Sequence, residues 1–393
     1  MNIPSKAENN ISSLPKNKCY GCAVCVSICP ENCIKMALDN EGFYYPIVDE
    51  PNCIECRKCI DTCPGFNWPQ NNEMNRLPTF VAGYSCDENV RFNSSSGGFF
   101  SLIANEIITA NGAVYGAVYD FVNLRVVHTR AENFDQILPM RKSKYVQSDT
   151  NKIFSKVKSD LNKKIPVLFS GTPCQVDGLN NCLEAQFTNL YTCDIICHGV
   201  PSPRLFQTHF SALQNKYKDN LNNIDFRTKK KGWGNPLNLF FELSFNEKNK
   251  LKYSLQDAYY ALFLANLSLR PCCYQCPYTS TKRVSDITLG DYWGVKQEHP
   301  DLFDRYGTSL MLVNTEKGKT LLSAIHSSAI FKIIGLPKPI PPNLKKPSPK
   351  PGYRNKIFSD ISFEKWQQTS WKFHIISLLI IIKNKIFGFF KKF

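Results

Sequence analysis

Hydrophobic positions change their period several times along the chain. From about residue 78, short apolar runs bounded by Gly, Pro and Asn alternate with stretches of helical spacing. "TFVAGYS" (79–85), "AVYGAVYD" (113–120), "RVVHTR" (125–130), "PVLFSG" (166–171) and "LYTCDIICHG" (190–199) predict strands. "GGFFSLIANEIITANG" (97–112) predicts a helix with Phe100, Ile103, Ala104, Ile107 and Ile108 on one face, and "FSKVKSDL" (154–161) predicts another. Strand–helix alternation of this kind implies an α/β or α+β domain with a mixed sheet.

The chain ends differently. "LPKPIPPNLKKPSPKP" (336–351) holds seven prolines and no periodicity, which predicts an extended connector over 336–370. The last segment, "WKFHIISLLIIIKNKIFGFFKKF" (371–393), predicts a basic amphipathic helix. Its apolar face would hold Ile375, Leu378, Leu379, Ile382, Ile386, Phe389, Phe390 and Phe393. The uninterrupted apolar run is about half the roughly 20 residues a spanning helix needs. An anionic membrane surface suits it better, with docking on protein as the alternative.

Charge sharpens the division. The net charge is +15, but residues 1–80 carry seven Lys/Arg against nine Asp/Glu, and residues 336–393 carry twelve against two. The basic excess thus belongs to the tail, and no basic stripe with stacking aromatics marks the body for nucleic acid. Seventeen cysteines behind an N-terminus with no apolar core point to metal or redox chemistry in a reducing cytoplasm.

Residues 1–77 explain half of those cysteines. "CYGCAVCVSICP" (19–30) and "CIECRKCIDTCP" (53–64) each read C-x2-C-x2-C-x3-C-P, the spacing of bacterial two-cluster ferredoxins. Three thiolates on a tight loop grip one 4Fe–4S cubane, and the fourth completes the other. Cluster one is expected on Cys19, Cys22, Cys25 and Cys63, and cluster two on Cys53, Cys56, Cys59 and Cys29. Zinc has no use for the third close cysteine or the trailing Cys-Pro. Cys33 falls outside the pattern and reads as a small core residue.

Three stretches in the domain at 78–335 invite chemistry. "SSSGG" (94–98) before a helix offers N–H groups to an anion, or is an ordinary cap. "FSGTPCQ" (169–175) and "DIICHGVPSP" (194–203) each place a cysteine, Cys174 or Cys197, just beyond a strand, where ligands of open α/β sheets gather. A helix start there would lower the thiol pKa. "LRPCCYQC" (269–276) adds Cys273 and Cys276 in CxxC spacing, with Cys272 as a packing neighbour. A third cluster on Cys174, Cys197, Cys273 and Cys276 competes with a zinc site or a reversible disulfide at 273/276.

Together with "SKYVQSD" (143–149), "FRTKKKGWG" (226–234) and "SDITLGDYWGV" (285–295), these motifs resemble the beta subunits of coenzyme F-420 hydrogenases and dehydrogenases across about residues 78–315. The resemblance implies a flavin, usually FAD, beside a 4Fe–4S cluster on the four cysteines named. It also implies a flavin site lined by Ser95, Ser96, Gly97, Gly98, Lys144, Tyr145, Gln147 and Ser148. The fused N-terminal ferredoxin resembles proteins of bacterial polysaccharide-biosynthesis loci. An iron–sulfur flavoprotein oxidoreductase follows, exchanging electrons with a ferredoxin-like protein, a reduced deazaflavin or a nicotinamide. His198, Lys144 and Asp291 are candidates for proton transfer or flavin tuning, and no catalytic acid is assigned. The alternatives are an electron-transfer subunit without a substrate of its own, and a redox-sensing or scaffold protein without flavin.

Overall fold

The computed structural model describes residues 9–67, 77–183, 186–233 and 239–390, with side chains to residue 383. The expected domain junction near 77 adjoins undescribed residues. Ile386, Phe389, Phe390 and Phe393 of the expected tail face also lie outside the described side chains.

Two short helices, Val24–Ile28 and Lys58–Asp61, follow the two cysteine loops. Between them β1 (Ile34–Leu38) and β2 (Tyr44–Val48) form an antiparallel hairpin. The hairpin turns through Gly42, whose φ of +77° belongs to the left-handed region.

The large domain is built on a nine-stranded mixed sheet. Its strands are β3 (Thr79–Ser85), β4 (Ala113–Asp120), β5 (Arg125–Ala131), β6 (Ser148–Asp149), β7 (Val167–Gly171), β8 (Leu190–Ile195), β12 (Ile287–Asp291), β13 (Ser309–Val313) and β14 (Ala329–Ile334). The order is β14-β3-β13-β12-β8-β7-β4-β5-β6. The neighbours β12, β8, β7 and β4 run parallel; β12-β13-β3-β14 and β4-β5 pair antiparallel, and the edge strand β6 runs parallel to β5. The parallel centre is apolar on both faces, as covered sheets are: Val167, Leu168 and Phe169 are all fully buried. A second sheet, β9 (Leu221–Asp225), β10 (Phe240–Phe245) and β11 (Asn249–Tyr253), is antiparallel in the order β11-β10-β9.

The expected strands and helices are present. In the helix Phe99–Thr109, Phe99, Ile103, Ala104, Ile107 and Ile108 are buried, whereas Phe100 is only partly so. Phe99 rather than Phe100 faces the core, directly after the cap residue Gly98 at φ +93°.

The C-terminal region differs from an extended connector. Leu344, Ser348 and Arg354 are buried, a helix forms at Arg354–Asp360, and the tail helix begins at Trp366 rather than at 371. The prolines remove backbone donors without removing apolar side chains, so the segment lies down on the body as a strap. The tail helix is also apolar on two sides rather than one. Trp366 and Phe373 are buried in the aromatic core, whereas Ile375 and Leu379 face outward.

Candidate functional site

The N-terminal module packs on the large domain through polar contacts that read its loops. Gln147 donates to the carbonyls of Tyr20 and Gly21, both at 3.1 Å, and Thr150 donates to the Cys22 carbonyl at 2.7 Å. Arg270 is fully buried. It donates to the Cys19 carbonyl (2.8 Å), the Cys19 sulfur (3.4 Å), the Tyr44 carbonyl (2.9 Å) and Gln147 (3.0 Å). Arg354 grips both carboxylate oxygens of Glu41 at 2.7 and 2.6 Å.

Three groups of thiols result. Cys19, Cys22, Cys25 and Cys63 are all buried, and each interacts electrostatically with others of the four. Burial, reinforced by neighbouring thiols, pushes Cys22 and Cys25 well above the usual thiol range and Cys63 up to about 11. The Gly65 N–H donates to the Cys63 sulfur at 3.3 Å. The second group, Cys29, Cys53, Cys56 and Cys59, rings a void nearer the surface, with Cys56 exposed. Cys33 is buried as a packing residue would be, yet its Sγ lies 3.4 Å from that of Cys29.

The third group arises from sheet topology. The parallel strands β7 and β8 are neighbours, with Gly171 paired to Asp194, so the turns that follow them emerge side by side. They carry Cys174 and Cys197 to one cavity, and a 3-10 turn at Pro271–Gln275 brings Cys272, Cys273 and Cys276 to the same wall. Tyr20, Thr172, His198 and Tyr278 line it too. Cys174 sits in the first turn of the helix Pro173–Cys182, but its thiol is not lowered. Burial outweighs the helix terminus and the Thr172 hydroxyl at 3.2 Å, and pushes it up to about 12. Burial likewise raises Cys197, which faces Cys273, Cys174 and Cys276. Cys273 alone is lowered, chiefly by a hydrogen bond from Cys272.

Among the described residues no three Cys, His or carboxylate groups close on a single point as around one ion. The thiols ring voids instead, with N–H groups aimed at sulfur from Val24, Gly65 and Gly199. That donor set fits iron–sulfur clusters, whose irons supply the positive charge these buried thiols lack as thiolates.

The first and third groups share a wall. Cys19 belongs to one and Tyr20 to the other, and Cys22 interacts with Cys174. A Cβ on Gly178 would lie 3.1 Å from the Cys22 sulfur, so the helix carrying Cys174 approaches closely.

The eight residues of the expected flavin site divide between two places. Ser95 bonds Ser143 (2.9 Å), Ser96 bonds Ser309 (2.9 Å), and Gly97 packs so tightly that a Cβ would lie 2.4 Å from the Gly83 carbonyl. Lys229 joins them, donating to the Ser96 carbonyl at 2.7 Å. Lys144 donates to the carbonyl of Arg141 at 2.6 Å, and Tyr145 stacks on Phe263 and meets Arg227. Gln147 and Ser148 point elsewhere: Gln147 to the ferredoxin loop, Ser148 to His128 (3.0 Å) and Gln175 (2.9 Å). Adjacent residues after Val146 turn to opposite sides of a short edge strand, which the motif alone does not reveal.

Arg141, Lys142, Lys144, Arg227 and Lys229 crowd this region against Asp225 and Asp291, with Lys142 on Asp225 at 2.6 Å and Arg227 on Asp291 at 2.9 Å. Burial lowers Lys144 and Lys229 to about 7. Arg227 Nη2 and Arg141 Nε are buried without a partner among the described residues. This wall, with five cations against two carboxylates and two buried guanidinium nitrogens left over, fits a phosphate-bearing cofactor. Phe263 connects it to the third thiol group, since it touches both Tyr145 and His198. Sequence reasoning missed Arg270, Tyr20, Arg227 and Lys229 as site residues. All four stand inside the motifs "CYGCAVCVSICP", "LRPCCYQC" and "FRTKKKGWG", but a lone cation or ring carries no spacing signal.

Comparison with known proteins places these features. No curated protein matches the chain. A solved structure titled "Xenon derivatization of the F420-reducing [NiFe] hydrogenase complex from Methanosarcina barkeri" contains a chain that is similar at 14% identity, with a TM-score of 0.47. The match covers 81% of this chain and 96% of that one. Residues 166–338 match the family defined by the C terminus of the coenzyme F420 hydrogenase/dehydrogenase beta subunit, and residues 18–66 match the "4Fe-4S dicluster domain". The chain is therefore an iron–sulfur protein that joins a 4Fe–4S dicluster domain, over residues 18–66, to a segment similar to the C terminus of the coenzyme F420 hydrogenase/dehydrogenase beta subunit, over residues 166–338.

Proposed function

We propose that the chain is a flavin-dependent iron–sulfur oxidoreductase that converts between one-electron and two-electron transfer. The observation that carries this reading is the position of the third thiol group. It shares a wall with the Cys19 loop on one side, and on the other two rings, Phe263 and Tyr145, lead from its His198 to Arg227 in the cationic wall. Clusters bound at the three thiol groups pass single electrons, and FAD, when bound, takes up two and delivers them together.

In this reading Cys29, Cys53, Cys56 and Cys59 hold the cluster nearest solvent, where a ferredoxin-like partner docks. Cys19, Cys22, Cys25 and Cys63 hold the next, and Cys174, Cys197, Cys273 and Cys276 hold the innermost. Arg227 and Lys229 orient the cofactor phosphates, with Ser95 to Gly98 forming the tight backbone beside them. Gln147 and Ser148 leave the flavin set: one fastens the ferredoxin module, the other fixes His128. A reduced deazaflavin or a nicotinamide is the two-electron partner, in a reducing, cytoplasmic setting. The fused architecture keeps polysaccharide biosynthesis as the process in which to seek the substrate.

Iron, acid-labile sulfide and flavin per chain, on protein purified without oxygen, test the proposal. We expect about twelve irons and one flavin, falling to about eight irons in Cys273→Ser. About eight irons in both proteins and no flavin would sink the converter.

A further inference from the structure

A helix that packs one side on its own protein ordinarily turns a polar side to water. In the tail helix Trp366–Phe390, over the described side chains 366–383, much of the outward side is apolar instead. Phe373 and Ser377 are buried, and Ile376, Ile380 and Ile381 pack beside them on the aromatic core. The opposite side carries Trp371, Ile375, Leu379 and Ile382, which are 57, 49, 62 and 52% exposed. At about 100° per residue these four fall within an arc of about 80°, so they form one continuous stripe.

The charge around the stripe identifies its occupant. Lys372 and Lys383 are exposed along its edge, and the Lys372 ammonium lies 5.8 Å from the Trp371 ring. Residues 365–393 include no Asp or Glu, and residues 336–393 carry twelve Lys/Arg against two acidic residues. A second copy would bring an equally cationic, acid-free helix against this one, and like charges oppose that pairing. Among the described residues no helix is long and apolar enough to cross a membrane.

We propose that this stripe is a membrane-docking face, which lays the tail helix in the headgroup region of an anionic lipid bilayer while its inner side stays fixed to the body. Trp371, Ile375, Leu379 and Ile382 enter the apolar boundary, and the flanking lysines meet lipid phosphates. The anchoring by Phe373 and Trp366 makes the docking rigid: the redox domain is held at the surface rather than tethered near it. The proposal does not depend on the cofactor assignments.

Flotation of the full chain with vesicles tests it. The chain should rise with phosphatidylcholine–phosphatidylglycerol vesicles and stay behind with phosphatidylcholine alone. Ile375→Glu and Leu379→Glu, both at exposed positions, should abolish flotation while leaving iron content and thermal unfolding unchanged. Lys372→Gln and Lys383→Gln should each weaken binding about fivefold. Failure of the wild-type chain to float with the anionic vesicles overturns the proposal. So does flotation that the stripe variants leave undiminished. A dimer in vesicle-free solution that Leu379→Glu turns into monomer overturns it too, and assigns the stripe to a second copy.

Discussion

Arg270 directs all of its donors to the Cys19 loop, the β1–β2 hairpin and Gln147, while its backbone leads into the turn of the third thiol group. Its guanidinium lies 4.3 Å from the Tyr45 ring, spans the Cys19 carbonyl and sulfur and the Tyr44 carbonyl, and belongs to the residue just before Pro271 and the Cys272–Cys276 turn. A buried positive charge on a ligand sulfur stabilises the reduced, more negative cluster. Arg270→Gln should therefore lower the midpoint potential of one cluster and leave the others in place, as followed by electron paramagnetic resonance during a redox titration. The same change strips buried carbonyls of a charged donor, and chemical denaturation should show a loss of about 3 kcal/mol. An unchanged set of potentials would reduce Arg270 to a packing residue. The cysteines were legible in the sequence because cluster ligation imposes a fixed spacing. Arg270 was not, because two of its partners are backbone carbonyls more than two hundred positions away, and a backbone carbonyl leaves no mark on sequence.

At the scale of elements, the sheet gathers what the motifs only suggest. The turns after β7 and β8 read alike in sequence, and their parallel pairing puts Cys174 and Cys197 side by side. The limits of β3, β4, β5 and β7 were readable almost residue by residue as apolar runs with turn residues at both ends, whereas β8 stops at Ile195, four residues short of the expected 190–199. The strap and tail were less readable, since apolar helical spacing is the same whether a helix faces protein or lipid. The hairpin β1–β2 illustrates how an element fixes a domain contact. Gly42 both turns the chain at positive φ and lies where a Cβ would come 2.4 Å from that of Arg204. Ser202 meanwhile donates to the carbonyls of Glu41 (2.7 Å) and Gly42 (3.1 Å). Gly42→Ala should cost about 2–4 kcal/mol through backbone strain and clash together, measured by thermal unfolding of the full chain. Wild-type stability in that variant would mean that the hairpin and the helix Pro203–Tyr217 separate freely.

For the whole molecule, the three thiol groups differ in exposure: the first is buried, the third half-buried around its own cavity, and the second the most open. The second group opens to solvent at Cys56, the first is buried between module and body, and the third lies against the first. Under the proposed function, electrons from a protein donor enter at the Cys56 group. Cys56→Ser should remove about four irons and slow reduction by a ferredoxin-like donor at least tenfold, while a small chemical reductant still reduces the remaining centres. Equal rates in the variant and the wild type would place the entrance elsewhere.

The clasp between Glu41 and Arg354 joins residues 313 positions apart. A ribosome adding about 5–20 residues per second needs roughly 15–60 s to travel from one to the other. Throughout that interval the newly made cysteine loops lack Arg270, Gln147 or Arg354 in turn, and the side of the module that is later sealed still faces water. If Cys19, Cys22, Cys25 and Cys63 hold a cluster as proposed, its maturation has a window set by translation: iron and sulfide reach them most easily before the C-terminal strap arrives.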